Sequence, residues 1–291
     1  MTVQRLADLQ ARIHSLGELR DVVGAMRALS AVRVQQAHET LLAIRQYAAI
    51  VESALAEATP SLATARVVAP REPLAPAATA VIAFGSEHGF VGAFNDHVLD
   101  RAVAHLEIPA DRLLVVGSRA ALVAAERLHP VAWTCPMASH VGGVDDVALR
   151  AAEEIARSGA DELTRVVLVY TRSSGGATWR LVAETLLPFD VESYLPRRRR
   201  NKPTPISNLS SKELFDKLVE ELVFAQLTHA AMESFASENA ARLAAMESAH
   251  DNIEDKLVDM SRLEREGRQE EITTELLDVV SGAEAMTGRS P

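Results

Sequence analysis

The feature that most constrains this sequence is a long proline-free stretch at each end, in which apolar residues recur every three or four positions. Residues 3–58 contain no proline, and a second proline-free stretch runs from Pro205 to Pro291. Alternating spacings of three and four are typical of helices that pair with another helix. At 1.5 Å per residue these helices would be roughly 80 to 100 Å long, which few globular domains can bury.

The apolar positions predict one contact stripe on each helix. The first stripe comprises Leu6, Leu9, Ile13, Leu16, Leu19, Val23 and Met26, and it resumes at Ala37, Leu41, Ile44, Ala48, Val51 and Leu55. The second comprises Leu222, Ala225, His229, Met232, Ala236, Asn239, Leu243, Met246, His250, Ile253, Leu257 and Met260. Asn208 or Ser210 could cap the second helix, and Glu213 has the capping-box spacing from Ser210. Two stripes of matching period favour an antiparallel coiled coil.

Between the two helical stretches, short apolar runs alternate with helical patterns. The runs predict strands at Thr79–Phe84, Arg112–Gly117 and Arg165–Tyr170, with helices at Asn95–Leu106, Arg119–Leu128 and Asp145–Arg157. This alternation favours a mostly parallel sheet covered by helices. An alternating pattern at Thr178–Leu187 predicts an antiparallel edge strand, reached through a turn at 173–176.

The predicted fold is therefore α/β, with a Rossmann-like α/β domain inserted between two long helices that form an antiparallel coiled coil. We expect three segments: an N-terminal coiled-coil helix (1–58), the inserted domain with its connectors (59–208) and a C-terminal coiled-coil helix (209–291). The connectors are a Pro/Ala-rich stretch at 60–76 and a loop at 196–205.

Composition and charge narrow the class of function. The chain is 48% hydrophobic and 24% charged, with mean hydropathy near zero, which is typical of a soluble folded protein. No apolar run approaches the roughly 18 residues of a membrane span, and the N-terminus has no signal-peptide pattern. A single cysteine, Cys135, suits a reducing compartment. The net charge of −10 lies in the last 83 residues, which disfavours nucleic-acid binding.

Four local features are candidates for binding or catalytic sites. The loop from Gly85 to Gly92 follows a strand, but its spacing is neither that of a dinucleotide loop nor that of a P-loop, so a tight turn is favoured. The basic run Arg197–Arg200 predicts a solvated loop, or else a contact with an acidic partner. His229 and His250 lack metal-ligand spacing, and Cys135 lacks a partnered motif, so no metal, cofactor or nucleophile is expected.

Four separated segments resemble the gamma subunits of F-type ATP synthases. They are IHSLGELRDVVGAMRALSAVRVQQAH (13–38), SEHGFVGAFN (86–95), SENAARLAAMESAHDN (237–252) and RQEEITTELLDVVSGAEA (268–285). They occur in the family's order along the chain, and the two C-terminal segments are the most specific.

The resemblance implies a non-catalytic central-stalk rotor that couples transmembrane ion flow to ATP synthesis or hydrolysis. The implied partners are three catalytic and three non-catalytic head subunits, an epsilon-type stalk subunit and the membrane rotor ring. The implied location is peripheral, on the cytoplasmic side of the cell membrane, without direct insertion. Residues matching the family's contacts between shaft and catalytic subunits are Met26, Arg27, Arg33, Arg268, Gln269 and Thr273.

Several residues depart from the family pattern. Gly17, Asp21 and Gly24 replace basic or polar residues of the first helix, Glu87 and His88 replace an Asp-Arg pair, and Arg265 replaces an Asn. A less basic neck predicts weaker charge contacts with the head. Two other classes of function are alternatives: an α/β nucleotide-binding enzyme with helical extensions, and a coiled-coil scaffold without a mechanical role.

Overall fold

A computed structural model of the chain describes residues 3–58, 78–158, 163–173, 178–188 and 208–287. The α-helices are α1 (Val3–Ala58), α2 (Phe94–Val103), α3 (Ser118–Glu126), α4 (Val144–Arg157) and α5 (Ser211–Thr287), and a 3₁₀ turn at Val141–Gly143 precedes α4. The strands are β1 (Ala78–Phe84), β2 (Arg112–Val116), β3 (Trp133–Cys135), β4 (Leu163–Ser173) and β5 (Trp179–Leu187).

The chain divides into two compact units, and each long helix contributes to both. The first unit comprises residues 1–29 and 244–291, and the second comprises residues 30–243.

The second unit is built on a five-stranded sheet in the order β3-β2-β1-β4-β5. The first four strands are parallel, and β5 runs antiparallel to β4. The predictions of β1, β2, β4 and the antiparallel edge strand are thereby confirmed. Strand β3 was not predicted, because three residues are too few to show an alternation.

Both faces of this sheet are buried, which explains why its central strands are continuously apolar. In β1, Val81 and Ala83 point into a core shared with α2 and α3. Ile82 and Phe84 point into the opposite core, which contains α4 and parts of α1 and α5. The long helices of the second unit therefore form one of the two layers that cover the sheet.

The helix boundaries follow local backbone chemistry. Helix α5 begins with the predicted capping box: the Ser210 N–H donates to the Glu213 carboxylate at 3.1 Å, and the Glu213 N–H donates to the Ser210 hydroxyl at 3.3 Å. Helix α3 ends at Glu126, earlier than predicted, and Leu128 adopts a positive φ of 59°. Helix α2 ends at Val103, three residues before the predicted end.

Helices α1 and α5 pair in opposite directions within each unit. In the first unit, Gln10 contacts Glu264 and Arg20 contacts Glu254. In the second, Val51 and Leu55 pack against Phe215 and Leu222. The antiparallel pairing is thus observed, whereas coiled-coil supercoiling stays a prediction. One position of the predicted stripe is wrong: Leu19 is exposed.

Some sequence predictions fall outside the described residues. These are the connector at 60–76, most of the turn at 173–176, and the loop at 196–205 with its Arg197–Arg200 run. The division into three segments at 58/59 and 208/209 stays a prediction. In the described part of the chain, no helix combines the length and apolarity needed to cross a bilayer.

Candidate functional site

The first unit is held together by a thin apolar seam between α1 and α5. Val23, Met246 and Ile253 are its most buried members. Leu16, Met26, Ala245, Ala249 and Leu257 are partly buried against them. Because a single stripe on each helix is covered, most of the surface of this unit remains open to other molecules.

The predicted contact residues form separate groups. Met26 lies partly in the seam, Arg27 follows it on α1, and Arg33 is half-buried on the part of α1 that belongs to the second unit. Met26 packs in the same seam as Met246 of α5. Arg268 lies roughly 30 Å further along α5 than Met246, so it is distant from Met26 within the first unit. The structure therefore does not bring the six residues into one site.

Arg268, Gln269 and Thr273 form an exposed patch on one helix. The Arg268 guanidinium donates to the Glu264 carboxylate at 2.6 Å, and the Gln10 side chain of α1 donates to the same carboxylate at 2.9 Å. The hydrogen bond from Gln10, together with Arg268, holds the pKa of Glu264 below its usual value. The Thr273 hydroxyl donates to the Gln269 carbonyl at 2.8 Å. Arg268 is thus fixed in place while 58% of its side chain stays exposed.

Beyond this patch, the last described side chains of α5 are all exposed from residue 272 to residue 281. Ile272, Leu276, Val279 and Val280 follow helical spacing and form one apolar stripe, with Leu277 beside it. Their exposures range from 53 to 70%. An amphipathic helix normally covers such a stripe by packing, so this end of α5 has the properties of a contact surface for another protein.

The second unit contains the loop from Gly85 to Gly92, whose position after a strand made it a candidate nucleotide-binding site. The backbone N–H groups of Glu87 and His88 donate to the Glu238 carboxylate of α5, at 3.2 and 3.3 Å. Arg242 donates to the carbonyls of His88 and Gly89 at 3.2 and 3.1 Å. The loop's polar backbone groups are therefore bound by α5, which supports its interpretation as a tight turn.

The side chain of Glu87 also has a structural partner. Its carboxylate accepts the backbone N–H and hydroxyl of Ser118 at the first turn of α3, at 3.0 and 2.7 Å, and the Met137 N–H at 2.7 Å. A carboxylate at a helix N-terminus is stabilised by the free N–H groups there. In the same loop, Phe90 has a positive φ of 61° and is 67% exposed.

The remaining candidates have structural surroundings. Cys135 is buried at the end of β3, and burial raises the pKa of its thiol to about 12, which suppresses the reactive thiolate. His229 lies edge-on to Tyr170 and 3.4 Å from Glu233. His250 is partly exposed near Asp251. Among the described residues, no group of His, Cys, Asp or Glu side chains is arranged to hold a metal ion.

Sequence reasoning missed three buried charges on α5: Glu233, Glu238 and Arg242. The Glu238–Arg242 pair has the i,i+4 spacing of a helical ion pair, and this spacing could have been noticed. Its contacts with the loop at 87–89 could not, because they join residues about 150 positions apart.

Comparisons with known proteins agree with this geometry. The model of the ATP synthase family matches residues 5–286. The ATP synthase gamma chain of Anaeromyxobacter sp. (strain Fw109-5) is 30% identical, with 97% of this chain and 99% of the relative covered.

Two solved structures of the Euglena gracilis mitochondrial ATP synthase share the fold. A chain of the rotor in rotational state 1 has a TM-score of 0.65 and 16% identity, with 93% of this chain and 100% of the other covered. A chain of the OSCP/F1/c-ring structure in rotational state 3 has a TM-score of 0.66 and 17% identity, with 100% and 97% covered. The family match and the curated relative show that the chain belongs to the ATP synthase gamma-chain family.

Proposed function

We propose that this chain transmits rotation between the ion-driven membrane sector and the catalytic subunits of an ATP synthase, for synthesis or hydrolysis of ATP. As a gamma chain it is a central-stalk rotor subunit of that complex. The observation that carries the proposal is the open apolar stripe on α5 at Ile272, Leu276, Val279 and Val280.

An apolar stripe suits a turning contact. Hydrophobic attraction is non-directional and depends on the area removed from water. A helix end that contacts its surroundings through Leu, Ile and Val can therefore rotate without breaking a fixed set of hydrogen bonds at each step. The stripe would lie inside the head, where it is covered at every angle.

Torque also requires contacts that differ between angles, because only differential contact energy shifts a partner's conformational equilibrium. We assign this role to Met26, Arg27 and Arg33 on α1 and to Arg268, Gln269 and Thr273 on α5. The exposed guanidinium of Arg268 has donors left for a carboxylate or carbonyl of a catalytic subunit. The separation of these groups along the helix pair suits contacts with the head at more than one level.

The remaining assignments follow from the same proposal. The chain is non-catalytic and contacts three catalytic and three non-catalytic head subunits. Through its inserted α/β domain it contacts an epsilon-type stalk subunit and the membrane rotor ring. It lies on the cytoplasmic side of the cell membrane as a peripheral subunit. The less basic first helix, with Gly17, Asp21 and Gly24, predicts weaker charge contacts at the neck than in the family pattern.

Co-expression with its own head subunits tests the proposal. We expect a stable complex on gel filtration with high ATPase turnover, and loss of that turnover when residues 268–291 are deleted. Replacing Arg268 and Gln269 together by Ala should lower turnover without loss of assembly. The matched control replaces Asp255 and Lys256, two exposed residues of the same helix, by Ala. A chain that elutes alone and stimulates nothing would contradict the proposal and favour a ligand-binding role for the α/β domain.

A further inference from the structure

The second unit contains a buried carboxylate surrounded by two arginines and a histidine from three elements. The Glu233 side chain of α5 is 1% exposed. Arg45 of α1 donates to its Oε1 at 2.7 Å. The Nε of Arg172 in β4 lies 3.7 Å from the same oxygen, and the Nε2 of His229, one turn earlier on α5, lies 3.4 Å from it.

Further contacts extend this cluster across the sheet. The backbone N–H of Ser173, at the end of β4, donates to the second oxygen of Glu233 at 3.3 Å. The Ser173 hydroxyl lies 3.2 Å from Nε2 of His38 on α1. Arg172 also donates to Glu184 of β5 at 3.3 Å. One side chain is thus connected to both long helices and to the last two strands.

The apolar core beside this cluster packs the two long helices against the sheet. It contains Ala37 and Leu41 of α1 and Leu227, Ala230, Ala231, Met232 and Phe235 of α5. Hydrophobic contact of this kind is non-directional. A buried ion pair adds little net stability compared with apolar residues, but it can specify a single register. The charges therefore add a directional constraint to the apolar packing.

Ser234, the residue after Glu233, also holds α5 against the sheet. The Thr171 N–H of β4 donates to the Ser234 hydroxyl at 3.2 Å, and that hydroxyl lies 3.3 Å from the Phe84 carbonyl of β1. Helix α5 is consequently fixed against the carboxyl ends of two parallel strands by two consecutive side chains.

We propose that Glu233 is a positioning residue for torque transfer. It holds α1 and α5 at one axial and rotational position against β4, so that twisting force on the α/β part of the chain reaches the helices without slippage. This inference rests on the proposed rotor function. Each contact of Glu233 described above joins parts of this chain to one another, so we expect its loss to affect the coupling of hydrolysis to ion transport more than hydrolysis itself.

The test uses the complete ATP synthase in sealed vesicles, with ATP hydrolysis and ATP-driven membrane potential measured together. In Glu233→Gln, which keeps the shape and removes the charge, we expect hydrolysis per assembled complex to stay within about twofold. The potential formed per ATP should fall about threefold or more, within the range by which single residues alter coupling. A purely structural role would lower both activities in proportion to the amount of assembled complex.

The matched control is Glu221→Gln, because Glu221 accepts a hydrogen bond from Tyr47 across the same helix pair at an exposed position. This control should couple like the wild type. Arg45→Met, which changes a half-exposed partner of Glu233, guards against misfolding and should lower coupling in the same direction.

Full coupling of hydrolysis to ion transport in both Glu233→Gln and Arg45→Met would overturn the inference. If Glu233→Gln does not assemble, full coupling in Arg45→Met alone would overturn it. If the wild-type complex forms no membrane potential when it hydrolyses ATP, the proposed rotor function is contradicted, whatever the role of Glu233.

Discussion

Helix α5 carries two Glu–Arg pairs with the same i,i+4 spacing and the same N–O distance, one in each compact unit. Glu238 and Arg242 lie 2.6 Å apart with 3 and 5% of their side chains exposed. Glu264 and Arg268 also lie 2.6 Å apart, with 21 and 58% exposed. The two pairs differ only in their surroundings, which makes them a direct comparison of a structural and a surface role.

The comparison extends to the two units as a whole. In the second unit, buried charges hold a loop and a sheet against α5 through hydrogen bonds. In the first unit, a thin seam joins two helices, while charged and apolar side chains face outward. The buried charges of the second unit therefore have a structural role, and the exposed side chains of the first unit have the properties of a contact surface.

The largest expected effect comes from breaking the buried pair. Arg242→Ala leaves Glu238 without its cation and removes two donors to the loop carbonyls, so the free energy of unfolding should fall by about 3–5 kcal/mol. Both tryptophans, Trp133 and Trp179, lie in strands of the second unit, so their fluorescence reports its unfolding in urea. A loss of under about 1 kcal/mol would show that water replaces the arginine, as at an exposed pair.

The next largest effects should come from glycine substitutions, which should change the free energy of unfolding in opposite directions in the two units. A Cβ at Gly85 would lie 2.2 Å from the Cβ of Ala120, so Gly85→Ala should cost about 1–3 kcal/mol by overpacking. The same fluorescence-detected urea titration measures this loss. An unchanged midpoint would contradict the close packing of the β1 loop against α3.

Gly24 is the control from the first unit. A Cβ there would meet nothing within 4 Å, and a glycine inside a helix is destabilising, so Gly24→Ala should stabilise the chain by roughly 0.5–1 kcal/mol. Helical circular dichroism during thermal unfolding would measure the gain, and a loss would place a neighbour at Gly24.

Much of the fold was predictable because its patterns are long or continuous. The capping box at Ser210 and Glu213 and the apolar strand at Thr79–Phe84 are local features, and both were predicted. Trp133–Cys135 was missed because a three-residue strand carries no periodicity. Leu19 was assigned to the covered stripe because it has the right spacing from Leu16 and Val23, which are covered, and spacing alone does not show that Leu19 is turned toward solvent.

The candidate site was predictable only in part. The resemblance indicated Arg268 and Gln269, and the structure finds them exposed. It did not indicate Glu233, whose partners Arg45 and Arg172 are distant in sequence and meet it only through the fold. Buried charges depend on tertiary contacts, which a single sequence does not display.

Acidification should have a smaller effect on the free energy of unfolding. Although burial alone would raise the pKa of Glu233, hydrogen bonds from His229 and Arg45 lower it below the usual value. The resulting stability is present above the unfolded-state pKa of about 4.3 and is lost as pH falls through the folded-state pKa. The stability difference between the wild type and Glu233→Gln should therefore shrink below about pH 4.3. A difference that stays constant in urea titrations across this range would contradict the assignment.

The smallest effect on stability should come from Arg268→Ala. Exposed ion pairs contribute little because water and salt screen them, so thermal unfolding of the isolated chain should not change measurably. The same variant should lower ATPase turnover of the assembled complex, since Arg268 is assigned to a head contact. Lower stability together with full ATPase turnover would contradict this assignment, because Arg268 would then have the structural role that is assigned to Arg242.

Single-molecule rotation measures whether this chain turns within the head. In an immobilised complex of this chain with its head subunits, a bead is attached through Leu122→Cys, an exposed position of α3, while buried Cys135 stays unreactive. We expect the bead to turn in one direction when ATP is supplied and to stop when ATP is removed. A bead that stays fixed while the same complexes hydrolyse ATP would contradict the rotor function.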